Sequence, residues 1–318
     1  MGKRENENLM ALKFSRHAET NFLPAALYMY NSPTHLRLQA KSGWVVFELA
    51  GKKRGEVKAR ISIHVKGHAA ISPARAPFGS IEMYSRISHA ALLNFFQFVE
   101  AGLRQNGVKQ LEIKHWPASY QPFQAKQVQR VLAHQLHFAV TEEVSSVIPV
   151  GASTLRMRMK PSERQKARKS EKLFSFSCCA PGEYKTMYDF IQACRTERKQ
   201  SLSLSWKEMR QTISKFPDRF VFFKLANATG VAAAAIVIRV SDKIWYTFYY
   251  AHAAKYNKVS PVVHLLECIY ARAASEKVKL IDLGTSMLQN KINKPLLHFK
   301  ESIGAVTGPK FTFRKSYE

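Results

Sequence analysis

The strongest constraint on how this chain folds is an order of elements that occurs twice. In the first half, the alternating stretches "GWVVFELA" (43–50) and "VKARISIHV" (57–65) flank the turn Gly51-Lys52-Lys53-Arg54-Gly55. Glycines at both ends of such a turn favour a hairpin. A helix follows in "SHAALLNFFQFVEAGLRQNG". There Leu92, Phe95, Phe96, Val99 and Leu103 fall on the 3.6-residue period, with Ser88 placed to cap the start and Gly107 the end. "VKQLEIKHW" (108–116) reads as a strand, stopped by Pro117. In the second half, "RFVFFKLANATGVAAAAIVIRVSDKIWYTFYYAH" (219–252) reads as three strands separated by polar turns. "SPVVHLLECIYARAASEKV" (260–278) is an amphipathic helix entered at Ser260-Pro261, and "LIDLG" (280–284) is the next strand. A meander, a capped helix and a further strand therefore recur. This predicts an α/β (α+β) chain of two modules, residues 1–147 and 148–318, each a mixed, mostly antiparallel sheet flanked by helices.

Length and composition agree. A chain of 318 residues is comfortable for two cores, and a hydrophobic fraction of 46% predicts packed domains. The longest apolar run, Val231 to Ile238, is far short of the roughly 20 residues that span a bilayer and reads as a buried strand. The opening "MGKRENENLM" is charged and lacks the apolar stretch of a signal peptide, so a cytoplasmic location is expected. Cys178, Cys179, Cys194 and Cys268 form no CxxC pair, which suits a reducing compartment. His64 and His68 share a strand face without a visible third ligand, so no metal is expected. The net charge of +26 is the outstanding compositional fact; from residue 151 onward, 30 Lys and Arg stand against 13 Asp and Glu. Charge on this scale attracts RNA, DNA, anionic lipid or phosphate-bearing small molecules, unless it is simply a solvated surface.

The second module begins with a polar helix in "KPSERQKARKSEKL", a strand in "FSFSC" and two helices in "GEYKTMYDFIQACRTER" and "SWKEMRQTISKF". The resulting order, strand–helix–helix–three strands–helix–strand–helix, resembles the GNAT acyltransferase fold. The ending "LIDLGTSMLQNKINKPLLHFKESIGAVTGPKFTF" resembles the D-x-G … FK-x-x-x-GA signature of the Fem-like, tandem branch of that superfamily. "SPARAPFGSIE" and "EIKHWPASY" resemble its first module. The resemblance spans roughly residues 30–318 and implies two GNAT-like modules in tandem. It also implies an acyl or aminoacyl transferase acting on an amine, either from aminoacyl-tRNA to a cell-envelope precursor or from acetyl-CoA. Neither donor would be a tightly bound cofactor. A non-catalytic RNA- or anion-binding protein on the same fold is the alternative. One departure bears on the donor. Acetyl-CoA-binding relatives hold pyrophosphate on a glycine-rich loop before the helix, whereas the matching stretch here, "AKYNKVSPVVHLL", has no glycine.

By the resemblance, Lys300 aims its charge at the oxyanion of the transfer and Phe299 shapes the donor pocket. Asp282 is either a base, its pKa raised among apolar neighbours, or a cap on the Gly284-Thr285 turn. Lys160, Arg164, Arg168 and Lys172 recur every four residues, a stripe widened by Arg156, Arg158, Lys166 and Lys169. Such a stripe either meets phosphates of a tRNA or other polyanion or is a solvated helix face. Alternation in "IWYTFYYAH" puts Trp245, Thr247, Tyr249 and Ala251 on one face and Tyr246, Phe248 and Tyr250 on the other. Tyr249 is a candidate to border the acyl channel or simply a core residue. Lys258 and Ser260, at the entrance to the 260–278 helix, are candidates for donor binding. In the first module, Tyr84 and Arg86 occupy the place where an acceptor would be met.

Overall fold

The computed structural model describes residues 12–15, 24–51, 53 and 55–317; the charged N-terminal decapeptide lies outside them, as do Lys52 and Arg54 of the first hairpin turn. The first elements are β1 (Leu12–Ser15), α1 (Pro33–Gln39), β2 (Trp44–Ala50), β3 (Val57–Lys66), β4 (Ala69–Ser72) and β5 (Glu82–Met83). Next come α2 (His89–Gln105), β6 (Gln110–Lys114), α3 (Pro122–Gln129) and β7 (Ala139–Pro149). After these run α4 (Leu155–Arg158), α5 (Pro161–Glu171), β8 (Ser175–Cys178), α6 (Tyr184–Thr196) and α7 (Trp206–Lys215). The meander β9 (Phe220–Asn227), β10 (Gly230–Ser241) and β11 (Ile244–His252) leads to α8 (Pro261–Ser275) and β12 (Leu280–Thr285). The chain ends with β13 (Met287–Leu288), β14 (Lys291–Ile292), α9 (Lys294–Ser302) and β15 (Val306–Ser316).

Two compact units result, one of residues 1–142 with 309–318, the other of residues 143–308. The sequence places the boundary at 147 and the whole C-terminus in the second module. In the structure residues 309–318 fold with the first unit, because Thr312–Ser316 pair antiparallel with Lys114–Gln110. In that unit the strand order is β1-β2-β3-β4-β6-β15, and β4–β6 is the parallel pair. Helix α2 makes the crossover between them. Its Ser88 Oγ accepts the Ala91 amide at 3.2 Å, and Leu92, Phe95, Phe96, Val99 and Leu103 are buried on its inner face against Phe47, Ile61, Leu111 and Phe313. Each such side chain contributes roughly 1.5–3 kcal/mol of burial.

The second unit repeats the pattern, in the order β7-β12-β11-β10-β9-β8, with β11–β12 parallel and joined by α8. Its central strand β10 carries the run Ala232–Ala235, all at 0% exposure. Nearly bare backbone there lets helices pack closely on both sides. On one side Phe223, Leu225, Val237 and Trp245 meet Val263, Leu266 and Ile269 of α8 and Ala167 of α5. In the neighbouring strand β9, Phe222 stacks on Tyr184 of α6 at 4.0 Å between centroids. The helix read in "SWKEMRQTISKF" opens with a capping box: Ser205 Oγ accepts the Glu208 amide and the Glu208 carboxylate accepts the Ser205 amide.

Candidate active site

The site is built where the parallel pair of the second unit parts. Pairing of β11 with β12 ends at Tyr246↔Asp282, while β11 continues along β10 to His252. Strand β12 instead bends toward β7, meeting it again at Thr285↔Ser145. The bend turns on Gly284, at φ +74°. A Cβ there would lie 3.3 Å from the Tyr246 ring. Gly284→Ala is therefore expected to cost about 1–2 kcal/mol through the left-handed backbone alone, a loss readable by denaturant unfolding. An unchanged midpoint would mean that the bend is not held in this geometry.

Two charged groups fix the bend. Asp282, 4% exposed, accepts the Gly284 amide on Oδ1 at 2.6 Å, so its carboxylate acts as a turn cap in this structure. Its backbone carbonyl accepts Thr247 Oγ1 at 3.0 Å. Lys300 projects inward from α9, whose start is capped by Asn293 Oδ1 on the Leu296 amide at 3.1 Å. Lys300 Nζ donates to the carbonyls of Gly284 (2.8 Å) and Thr285 (3.0 Å) and is 1% exposed. Burial lowers its pKa to about 8, against the opposing pull of Asp282. Two of its three donors are thus engaged. Phe299, the neighbouring residue, packs half-buried against the α8 core.

Across from the bend, β11 carries a bulge that strict alternation does not foresee. Ile236 faces Tyr249 and Val237 faces Thr247, leaving Phe248 as the extra residue. The bulge resets the alternation beyond it. Tyr250 joins Trp245 against the α8 core, whereas Tyr249 stacks on Phe248 at 4.0 Å and Phe248 lies 5.8 Å from Tyr246. The expected grouping of Tyr249 with Trp245 is thereby corrected. Tyr249 Oη accepts the amides of Ser203 (2.8 Å) and Leu204 (3.0 Å), and Arg195 lies over its ring, so this side chain anchors the loop before α7. Sequence reading also passed over Ser145, Ser146 and Ser286. Their hydroxyls are fully buried beside this bend and have no hydrogen-bond partner among the described residues.

The residues proposed for phosphate contact lie on other elements. Ser260, at φ +48°, precedes α8 without a side-chain cap bond, and Pro261 removes one amide from the helix start. Lys258 is exposed there. On α5 the stripe is narrower than its sequence suggests. Arg156 is claimed by Glu267 (2.6 Å) and Glu171 (3.0 Å), and Lys166 by Glu163 (2.6 Å). Arg168 and Lys172 remain exposed and Arg164 half-buried, with no carboxylate partner among the described residues.

Tyr84 and Arg86 belong to the first unit. Tyr84 Oη donates to the buried Glu82 at 2.9 Å and accepts from Arg60 at 3.0 Å, while Arg86 is exposed. The first unit has its own parting of a parallel pair, after Ser72↔Ile113. There the chain fills the gap itself. Gly79 donates its amide to the Lys114 carbonyl at 3.0 Å, Ser80 Oγ meets His115 Nδ1 at 2.7 Å, and Trp116 Nε1 donates to the Ile81 carbonyl. A Cβ on Gly79 would lie 2.6 Å from Ser72 Oγ. Burial drops the His115 pKa to about 3, so this imidazole is neutral.

Among the described residues no helix is long and apolar enough to cross a membrane. No protein-family model matches the chain, and no curated protein matches its sequence. Solved structures do match its fold. FemX superposes with a TM-score of 0.68 at 11% identity, over 91% of this chain and 92% of that one. L-PGS from Bacillus licheniformis gives 0.57 at 11% identity, over 90% and 87%. A C-terminal domain from Agrobacterium fabrum, provisionally described as that of a lysylphosphatidylglycerol synthetase, gives 0.52 at 13% identity, over 82% of each chain. At such identities the likeness concerns the fold, and the fold is the one that the resemblance to the Fem-like tandem branch of the GNAT superfamily implies.

Proposed function

We propose that the two units are tandem GNAT-like modules and that the second transfers an acyl or aminoacyl group to an amine. The observation that carries this reading is the Lys300 ammonium, locked by two carbonyls onto the bend where β11 and β12 part. The donor carbonyl enters that parting, and the acceptor amine attacks it within a ternary complex. A C–N bond forms, the bond to the departing oxygen or sulfur breaks, and the amine's proton ends on the leaving group. The oxyanion formed on the way takes the third donor of Lys300, a contact of roughly 3–4 kcal/mol in sites of this kind. Asp282 holds the turn and offsets the charge of Lys300, and Phe299 shapes the donor pocket.

Aminoacyl-tRNA is favoured over acetyl-CoA as donor. The start of α8 offers no glycine cradle and one amide fewer, whereas Lys258, Ser260 and the free cations of α5 suit an extended phosphate chain. FemX and L-PGS supply the fold analogy only. Tyr84 and Arg86 are the first module's own candidates for acceptor binding, and the parting of that module, filled by residues 79–81, takes no donor. The cytoplasm is the compartment where such donors are found. The competing reading, a non-catalytic RNA-binding protein, draws on the 1% exposure of Lys300. A panel of labelled aminoacyl-tRNAs and acetyl-CoA, each offered with amine acceptors, separates the two. Transfer of label from an aminoacyl-tRNA is expected; tRNA binding without transfer to any amine would favour the rival.

A further inference from the structure

Between Ser286 and Asn293 the chain leaves the main sheet as a separate two-stranded hairpin. Met287 pairs with Ile292 and Leu288 with Lys291. Gln289 and Asn290 form the turn at φ +48° and +61°, the twist that a two-residue hairpin requires. The Asn293 amide closes the base on the Ser286 carbonyl at 2.8 Å. The tip is not folded onto the core: Leu288 is 63% exposed and Ile292 48%. From Leu283 to Lys300 the chain contains no Asp or Glu, and exposed Lys291 and Lys294 flank the tip without a carboxylate partner among the described residues.

We propose that this hairpin docks the second unit onto an anionic bilayer surface. Leu288 and Ile292 enter the boundary between headgroups and acyl chains, and Lys291 and Lys294 meet the lipid phosphates. An RNA would satisfy the lysines but offers no apolar phase for the two aliphatic side chains. A bilayer bearing acidic lipid satisfies both, and the net charge of +26 adds long-range attraction. Because the hairpin is rooted on the bend that Lys300 holds, docking keeps the candidate site near the bilayer. The proposal does not depend on the transfer reading, and its test needs no substrate.

The test is co-sedimentation of the full chain with phosphatidylcholine vesicles, with and without phosphatidylglycerol. Binding is expected only with the acidic lipid and is expected to weaken with added salt. Leu288→Asn with Ile292→Asn should reduce it by about tenfold or more, without a change of charge. A Leu288→Trp variant should show a blue shift of its emission on adding acidic vesicles. These side chains lie outside the core, so the unfolding midpoint should match that of the unaltered protein. Failure to bind acidic vesicles would overturn the proposal. So would undiminished binding by the double variant with no blue shift from Leu288→Trp.

Discussion

Replacing Lys300 by Met is expected to cut transfer roughly a hundredfold or more while leaving donor affinity nearly unchanged. The loss follows from removing a charge that acts on the transition state and not on the bound donor. Met fills most of the space of the lysine stem, so the comparison avoids a large cavity. It does leave the Gly284 and Thr285 carbonyls without their donor, at about 1–3 kcal/mol for a buried acceptor. Unfolding must therefore be measured beside turnover. Lys300→Arg should keep part of the activity, since its charge remains, but its planar head cannot donate to the two carbonyls from the same point. Near-unaltered turnover in Lys300→Met would remove the residue from the reaction. A matched loss of affinity and turnover would make it a donor ligand.

The second large effect is expected on α5. Replacing Arg164, Arg168 and Lys172 together by Ala should weaken tRNA binding and lower the log–log salt slope by about two to three, close to one unit for each phosphate that is no longer neutralised. Arg156 and Lys166 are excluded from the set because Glu267, Glu171 and Glu163 already neutralise them. An unchanged slope would return the stripe to a solvated helix face. A protein still active on a short acyl donor but deficient with tRNA would place the helix in donor binding alone.

Much of the fold was legible because its signals are local. The periodicity of α2 and the cap at Ser88 are read within a few residues, and both are present. The apolar run Val231 to Ile238 announced a buried strand for the same reason. What escaped depends on partners far along the chain. The bulge at Phe248 arises from register against β10, so alternation within "IWYTFYYAH" could not foresee it. Nothing in "KFTFRKS" states that its partner is β6, some two hundred residues earlier in sequence. Arg156 reads as one more free cation until Glu267 is brought beside it. The sequence motif pointed to Lys300. Its burial was hidden, because its two acceptors are backbone carbonyls exposed only by the bend at Gly284.

The buried ammonium also links activity to pH. Lys300 has its pKa lowered to about 8 from the ordinary 10.5. Between those two values the folded state holds less of this proton than the unfolded state does. The residue's contribution to stability should therefore rise as pH climbs from about 8 to 10.5, while a reaction that needs the charged form slows. The most direct measurement is the pH dependence of single-turnover transfer, run in parallel on the unaltered protein and on Lys300→Arg. The unaltered protein should lose activity through one deprotonation near pH 8, and the arginine variant, slower throughout, should show no such step because its guanidinium stays charged. Two profiles falling together through the same pH would contradict a role for the charge of Lys300.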